Sequence, residues 1–452
     1  MRRGLALLAL TCGGLLFTQS AFAADEWLPH PPGATWTYQW TDSVYNPTPT
    51  LEKVTVKKQS GQNFILAWTT NGLGNPASAV SSTGTVSFQD SDEGIVNTNW
   101  SSAPPPANFP ILCAQEASCG NSLASTYYNI IWGSRNPVLA EPLLRGISWA
   151  GTGGSQNDVS STSTYLGQQQ VTVPAFSHPV TAAEVQTQIT QAGAIGDPYG
   201  SGIRTTWWVY GVGPVKVVFQ HTGGTGAAVM TSTLRSTSLT PAPAPTDLDY
   251  FPFQKGNTFT YEWTNTKHLP KPEIETLSVD AVVNNTARFT IKKATGPIKV
   301  KGSYGYTKRV EGVTNLWGDT ASAATVTQPP LGPASAPAKS RDHFASPFDL
   351  MNFGFNPILT AYPGAGQHWS SSRSSAEFVT YGVTGSSTVL GLQRVHVPAG
   401  TFEAIAVRST LHQPGFPYGS GTRTCWFAPG KGLVKLVFDH GDGSVSTVVL
   451  LH

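Results

Sequence analysis

One property constrains this chain more than any other: its sequence is written twice. Gly33-Ala-Thr-Trp-Thr-Tyr-Gln-Trp-Thr41 reappears as Gly256-Asn-Thr-Phe-Thr-Tyr-Glu-Trp-Thr264. Gly94-Ile-Val-Asn97 answers Gly312-Val-Thr-Asn315, and Asn136-Pro-Val-Leu139 answers Asn356-Pro-Ile-Leu359. Thr164-Tyr-Leu-Gly-Gln-Gln-Gln-Val-Thr-Val-Pro-Ala175 returns as Thr388-Val-Leu-Gly-Leu-Gln-Arg-Val-His-Val-Pro-Ala399. The longest echo pairs Pro198-Tyr-Gly-Ser-Gly-Ile-Arg-Thr-Thr-Trp-Trp208 with Pro417-Tyr-Gly-Ser-Gly-Thr-Arg-Thr-Cys-Trp-Phe427, and it runs on through His221 and His440. Segments recurring in one order at a near-constant offset mark a duplication. Each copy is a unit of roughly 200 residues, large enough to bury a core of its own.

The local pattern within each copy is that of strands. Trp36, Tyr38 and Trp40 share one face and Thr35, Thr37, Gln39 and Thr41 the other, a period of two that a β-strand satisfies. Val215, Val217, Phe219 and His221 alternate in the same way. The turn-like residues at 222–226 and 441–444 then read as hairpins leading into strands at 227–236 and 445–452. Residues 181–194 carry helix formers, yet their counterpart at 402–411 alternates, so both are expected as strands. Stretches rich in Ser, Gly and Pro at 71–84, 101–108 and 325–339 are expected as surface loops. The fold class is all-β, in two tandem homologous domains.

Arg2 and Arg3 precede an apolar run that ends near Phe17, and Ala21-Phe22-Ala23 supplies the small residues a signal peptidase reads. Residues 1–23 are therefore expected to be a secretory signal peptide, and the protein to be exported, periplasmic or extracellular. The run falls short of the roughly 20 residues a bilayer span needs, so no transmembrane segment is expected. Cys12 raises lipidation as an alternative, but Ala9-Leu10-Thr11 fits a lipidation box poorly. The expected organisation is a first β domain at 24–239, a proline-rich linker at 240–247 and a second β domain at 248–452. The linker segment, Thr240-Pro-Ala-Pro-Ala-Pro-Thr246, reads as an extended strut rising about 3.1 Å per residue.

Loss of the two N-terminal arginines leaves basic and acidic side chains equal in number. With no basic excess, capture of nucleic acid or anionic lipid lacks a driving force. Export permits disulfides, and Cys113 and Cys119 bracket a loop short enough to close. A Cys113–Cys119 bridge is expected, a local staple of about 2 kcal/mol by loop entropy. Cys425 is then left over, expected as a small buried apolar side chain.

The string Val397-Pro-Ala-Gly-Thr-Phe402, followed by Trp426-Phe-Ala-Pro-Gly-Lys-Gly-Leu-Val-Lys435, resembles uncharacterised secreted and lipoprotein β domains of bacteria. Such domains open on a Gly-x-x-Phe/Trp-x-Tyr strand and close on a Trp-x-x-Pro-Gly-x-Gly-x-Val-Lys hairpin, and the second copy matches from Gly256 onward. The first copy departs, with Phe176-Ser-His after Pro174-Ala175 and with Val209-Tyr210 in place of Ala-Pro. The resemblance implies a strongly curved antiparallel sheet, half-barrel or sandwich-like, in the cell envelope, and no enzyme class.

The motifs of common chemistries are missing. No Gly-x-Ser-x-Gly string marks a nucleophile elbow, and Gly200-Ser-Gly and Gly419-Ser-Gly read as flexible turns. The ten histidines are scattered singly, with no zinc spacing, and His221 and His440 read as strand-end residues. The acids at 90–94 and 439–443 lack calcium-loop spacing, so no metal and no cofactor are expected. Two carboxylates of a glycosidase would carry no spacing signature, which leaves a secreted polysaccharide hydrolase as an alternative.

The remaining signal is aromatic. Tyr199, Arg204 and Trp207 are paired by the repeat with Tyr418, Arg423 and Trp426, beside glycine-bracketed turns. An aromatic plane next to a guanidinium suits a sugar face or another flat ligand, which makes these six residues the candidate ligand site. The plainer alternative is that the aromatics fill the core and the arginine caps its edge. The functional expectation is a non-catalytic envelope protein that binds an apolar or glycan ligand or a partner protein, with a purely structural or assembly role as a further alternative.

Overall fold

The computed structural model describes residues 27–70, 83–102, 123–134, 137–152, 159–192, 199–222, 227–321, 329, 331, 343–354, 357–370 and 382–452. The expected signal peptide, Cys12, and the Cys113–Cys119 pair lie outside the described residues. Among those residues no helix is long and apolar enough to cross a membrane.

Two antiparallel sheets account for most of the chain. The first contains β1 (Thr35–Asp42), β2 (Asn46–Ser60), β3 (Asn63–Thr70), β4 (Thr83–Ser91), β5 (Gly94–Ser102), β6 (Leu139–Ala140), β7 (Ser148–Thr152), β8 (Val159–Val171), β9 (Val180–Gln191), β10 (Gly202–Val209), β11 (Gly213–His221) and β12 (Val229–Thr237). Their order across the sheet is β6-β5-β4-β3-β2-β1-β12-β11-β10-β9-β8-β7. The chain thus walks outward along one wing, crosses over, and walks back along the other until β12 closes on β1.

The second sheet repeats that plan. It contains β13 (Thr258–Asn265), β14 (Leu269–Val283), β15 (Thr286–Thr295), β16 (Lys301–Arg309), β17 (Gly312–Ala321), β18 (His368–Ser370), β19 (Thr384–Val397), β20 (Gly400–His412), β21 (Gly421–Ala428), β22 (Gly432–His440) and β23 (Val445–Leu450). Across the sheet they run β17-β16-β15-β14-β13-β23-β22-β21-β20-β19-β18. The Val-Pro-Ala-Gly-Thr-Phe string runs from the last residue of β19 through the Pro398-Ala399 turn into β20.

The period-two pattern decides which face each sheet turns inward. Trp36, Tyr38 and Trp40 are buried, with Thr35, Thr37 and Gln39 more exposed beside them. Each sheet has its own apolar core: one draws on residues from Trp27 to Leu234, the other on residues from Tyr250 to Leu450. Cys425 is a free, buried member of the second core, where burial pushes its thiol up to about 11. Residues 180–191 are a strand, as their counterpart in the repeat implied. Two of the three stretches expected as loops run into strands, since β4 starts at Thr83 and β5 continues through Ser102; most of 325–339 lies outside the described residues.

What strand periodicity did not announce is a six-residue helix in each copy, α1 (Thr126–Ile131) and α2 (Pro347–Asn352), every residue of which is buried. Both are too short and too rich in β-formers or aromatics to leave a helical period in the sequence. Ser346 starts α2 by accepting from the Phe348 N–H, with Pro347 in the first turn where a missing N–H costs nothing.

Candidate functional site

The buried helices explain why both copies keep a glutamate at 52 and 275 and an arginine at 204 and 423. On the inward face of β2, Glu52 accepts the Ser125 hydroxyl and the Thr126 N–H, each at 2.7 Å. Its counterpart on β14, Glu275, accepts the Ser346 hydroxyl at 2.8 Å. These carboxylates take up donors at the helix start that no helical carbonyl reaches. Burial pushes both carboxyls above the ordinary Glu range, and the hydroxyl hydrogen bonds pull the other way.

The opposite helix ends are held by the arginines of the candidate site. Arg204 is 2% exposed, and its Nη1 donates to the carbonyls of Asn129 and Trp132, the latter at 2.6 Å. Its Nη2 donates to Ser134 Oγ at 2.6 Å and Thr187 Oγ1 at 3.2 Å. Arg423, also 2% exposed, gives its Nη1 to the carbonyls of Leu350 and Phe353, the latter at 2.8 Å. Burial pushes both guanidinium groups down from their ordinary value. A flat donor fork against helix-end carbonyls is what arginine supplies and lysine does not.

Tyr199 and Tyr418 are buried too. The Tyr199 hydroxyl donates to Asp42 Oδ2, and its ring stacks on His221 with centroids 3.8 Å apart. His221 Nδ1 lies 2.6 Å from the Tyr199 carbonyl, as His440 Nδ1 does from that of Tyr418. Burial pushes both imidazoles down to about 4. In the second copy Asn265 occupies the place of Asp42, and His440 Nε2 meets Ser446 Oγ at 2.9 Å.

The glycine-bracketed motif belongs to the same corner. Ser201 and Ser420 hydroxyls accept the N–H of Gln191 and Gln413, at 2.9 and 2.8 Å. Gly202 and Gly421 hold φ of +148° and +137°, and a Cβ there would come within 2.1 Å of the Gln220 carbonyl oxygen and 2.0 Å of the Asp439 one. No other residue fits at either position.

Trp207 and Trp426 stand elsewhere. Three positions beyond the arginine on a strand is the opposite face, so each tryptophan points outward, half-buried, while its arginine points in. Lys216, directly across from Trp207, places Nζ 4.8 Å from the ring; Lys435 lies over Trp426 at 5.4 Å. The Trp426 indole N–H donates to Gln393 Oε1 at 2.8 Å. The six candidate residues therefore divide into an inner set, Tyr199, Arg204, Tyr418 and Arg423, and an outer pair, Trp207 and Trp426. They do not form one site, because the alternation of β10 and β21 parts the guanidinium from the indole.

The outer face also holds an aromatic that the sequence reading did not single out. Trp317 on β17 is 40% exposed and fills the space a Cβ at Gly305 would take, 2.3 Å from its Nε1. A glycine paired across strands with a tryptophan was the available signal. Among the described residues no group of three or more His, Cys, Asp or Glu gathers as a metal site.

No family model matches the chain, and no curated protein matches it. Solved structures similar to it include a Bacteroides fragilis NCTC 9343 protein described as exported, with a YmcC-like fold, at 9% identity, covering 47% of this chain and 99% of that one with a TM-score of 0.24. A protein described as a lipoprotein from Parabacteroides distasonis ATCC 8503 is 11% identical, with 47% and 98% covered and a TM-score of 0.25. Kievitone hydratase from Nectria haematococca is 8% identical, with 92% and 89% covered and a TM-score of 0.11. TM-scores this far below 0.5 supply no argument about this chain's architecture or activity.

Proposed function

We propose that the chain is an exported, non-catalytic protein that binds a glycan on the outer faces of its two curved sheets. The observation that carries this reading is the ledge formed twice over, Trp207 with Lys216 and Trp426 with Lys435, at equivalent strand positions. An indole offers a sugar ring apolar area, while the ammonium and the nearby Gln393 amide offer directed polar contacts. The centre of each sheet is taken by its own helix, which favours a ligand outside rather than within. The basic N-terminus, apolar run and Ala21-Phe22-Ala23 support export.

The test is affinity electrophoresis of the mature protein through gels containing soluble cell-wall polysaccharides. Retardation by at least one glycan is expected, and its loss in the Trp207→Ala/Trp426→Ala double variant, with the melting temperature within a few degrees of the parent. A parent that no glycan retards, or a double variant retarded as strongly, refutes the proposal.

A further inference from the structure

We infer that the two copies dock on each other through equivalent surfaces, about an approximate twofold axis, and that this seam holds them in one register independently of the linker. With Gly94 aligned to Gly312 by the repeat, Asp92 aligns with Val310. These two equivalent residues touch: the Val310 N–H donates to the Asp92 carbonyl at 3.2 Å. With Leu139 aligned to Leu359, Pro142 aligns with Tyr362 and Leu143 with Pro363. The Tyr362 hydroxyl accepts the Leu143 N–H at 2.7 Å, again within one residue of self-equivalence. Around that contact, Pro142 and Leu144 of one copy line a cleft with Val313, Leu359 and Pro363 of the other.

A position that meets its own counterpart is the mark of an isologous interface, in which one patch faces itself across a dyad. Repeats stacked head to tail bring unlike faces together instead. The seam is not fully symmetric. Arg309 pairs with Asp92 at 3.4 Å, whereas the reverse pairing would set Ser91 against Val310 and gain no charge.

The linker path leaves little slack beside this seam. Ala242 N–H donates to the Tyr210 carbonyl at 2.9 Å, and Gln168 Nε2 to the Pro245 carbonyl at 2.7 Å. Arg145 holds Asp247 by its N–H at 3.0 Å and its guanidinium at 3.1 Å. Two residues later Asp249 is bound by the second copy, through the Gly430 N–H at 2.7 Å and Lys308 Nζ at 2.6 Å.

Full-length protein carrying Asp92→Cys and Val310→Cys tests the seam. Under mild oxidation, peptide mapping should recover the 92–310 link on the order of tenfold more than a 92–267 link in the Asp92→Cys/Lys267→Cys control, since proximity sets the effective concentration of the two thiols. Lys267 lies at the far end of the second sheet, beside the turn at Asp442. Equal yields would overturn the inference. Independently, two protease sites placed at 239–240 and 247–248, both cut after folding so that the linker no longer joins the copies, should leave both halves co-eluting at the size of the intact chain. Halves that separate would overturn the claim that the seam acts without the linker. Neither result depends on glycan binding.

Discussion

Replacing Arg204 by alanine tests whether the retained arginines serve the interior. The guanidinium makes four hydrogen bonds in the first copy, two of them to carbonyls at the end of α1. Alanine leaves those two carbonyls buried without a donor, at about 1–3 kcal/mol each. The void left by the side chain adds about 1–2 kcal/mol, and relief of the buried charge returns part of the sum. A net loss of about 4 kcal/mol is expected, which for a unit of this size lowers its melting transition by roughly 8–16 °C. Scanning calorimetry of the mature protein reads this directly. Arg204→Lys, which keeps the charge and loses the fork, should fall between parent and alanine. A decrease under roughly 3 °C for Arg204→Ala, together with weakened glycan retardation, would refute the reasoning and return the arginine to a binding role.

Two other outcomes are expected. Because burial lowers His221 and His440 to about 4 from an unfolded value near 6.5, the unfolded chain takes up protons first on acidification. The stability each imidazole contributes is complete above pH 6.5 and is lost as pH falls toward 4, up to about 3 kcal/mol per histidine. Glu52 and Glu275, raised by burial, act in the opposite sense, so the comparison is with His221→Gln/His440→Gln: melting temperature against pH should be flatter between 6.5 and 4 in the variant, and parallel curves would contradict the assignment. Gly421→Ala should cost about 3 kcal/mol, seen as a lowered denaturation midpoint, whereas Gly415→Ala, with no atom within 4 Å of the added methyl, should cost about 1 kcal/mol.

Much of the architecture was legible because duplication and strand alternation are both periodic signals. The assignment of 180–191 to a strand came from comparing it with its counterpart, where local propensity alone favoured a helix. The short helices were not legible, since six residues hold fewer than two turns and their place is set by carboxylate and guanidinium groups far away in sequence. The arginine and tryptophan of each copy lie on opposite faces for a reason already present in the sequence. Arg204 and Trp207, like Arg423 and Trp426, are an odd number of positions apart on a strand, and parity assigns them to opposite faces.

Glu52 and Arg204 come from opposite wings of one sheet, and Glu275 and Arg423 do so in the other, yet each pair grips the two ends of a single buried helix. The helix is in effect a bolt through both leaves of a folded plate. A molecule nicked between its leaves keeps both fragments fastened to the same short helix and the residues flanking it, so loss of chain continuity there need not mean loss of shape.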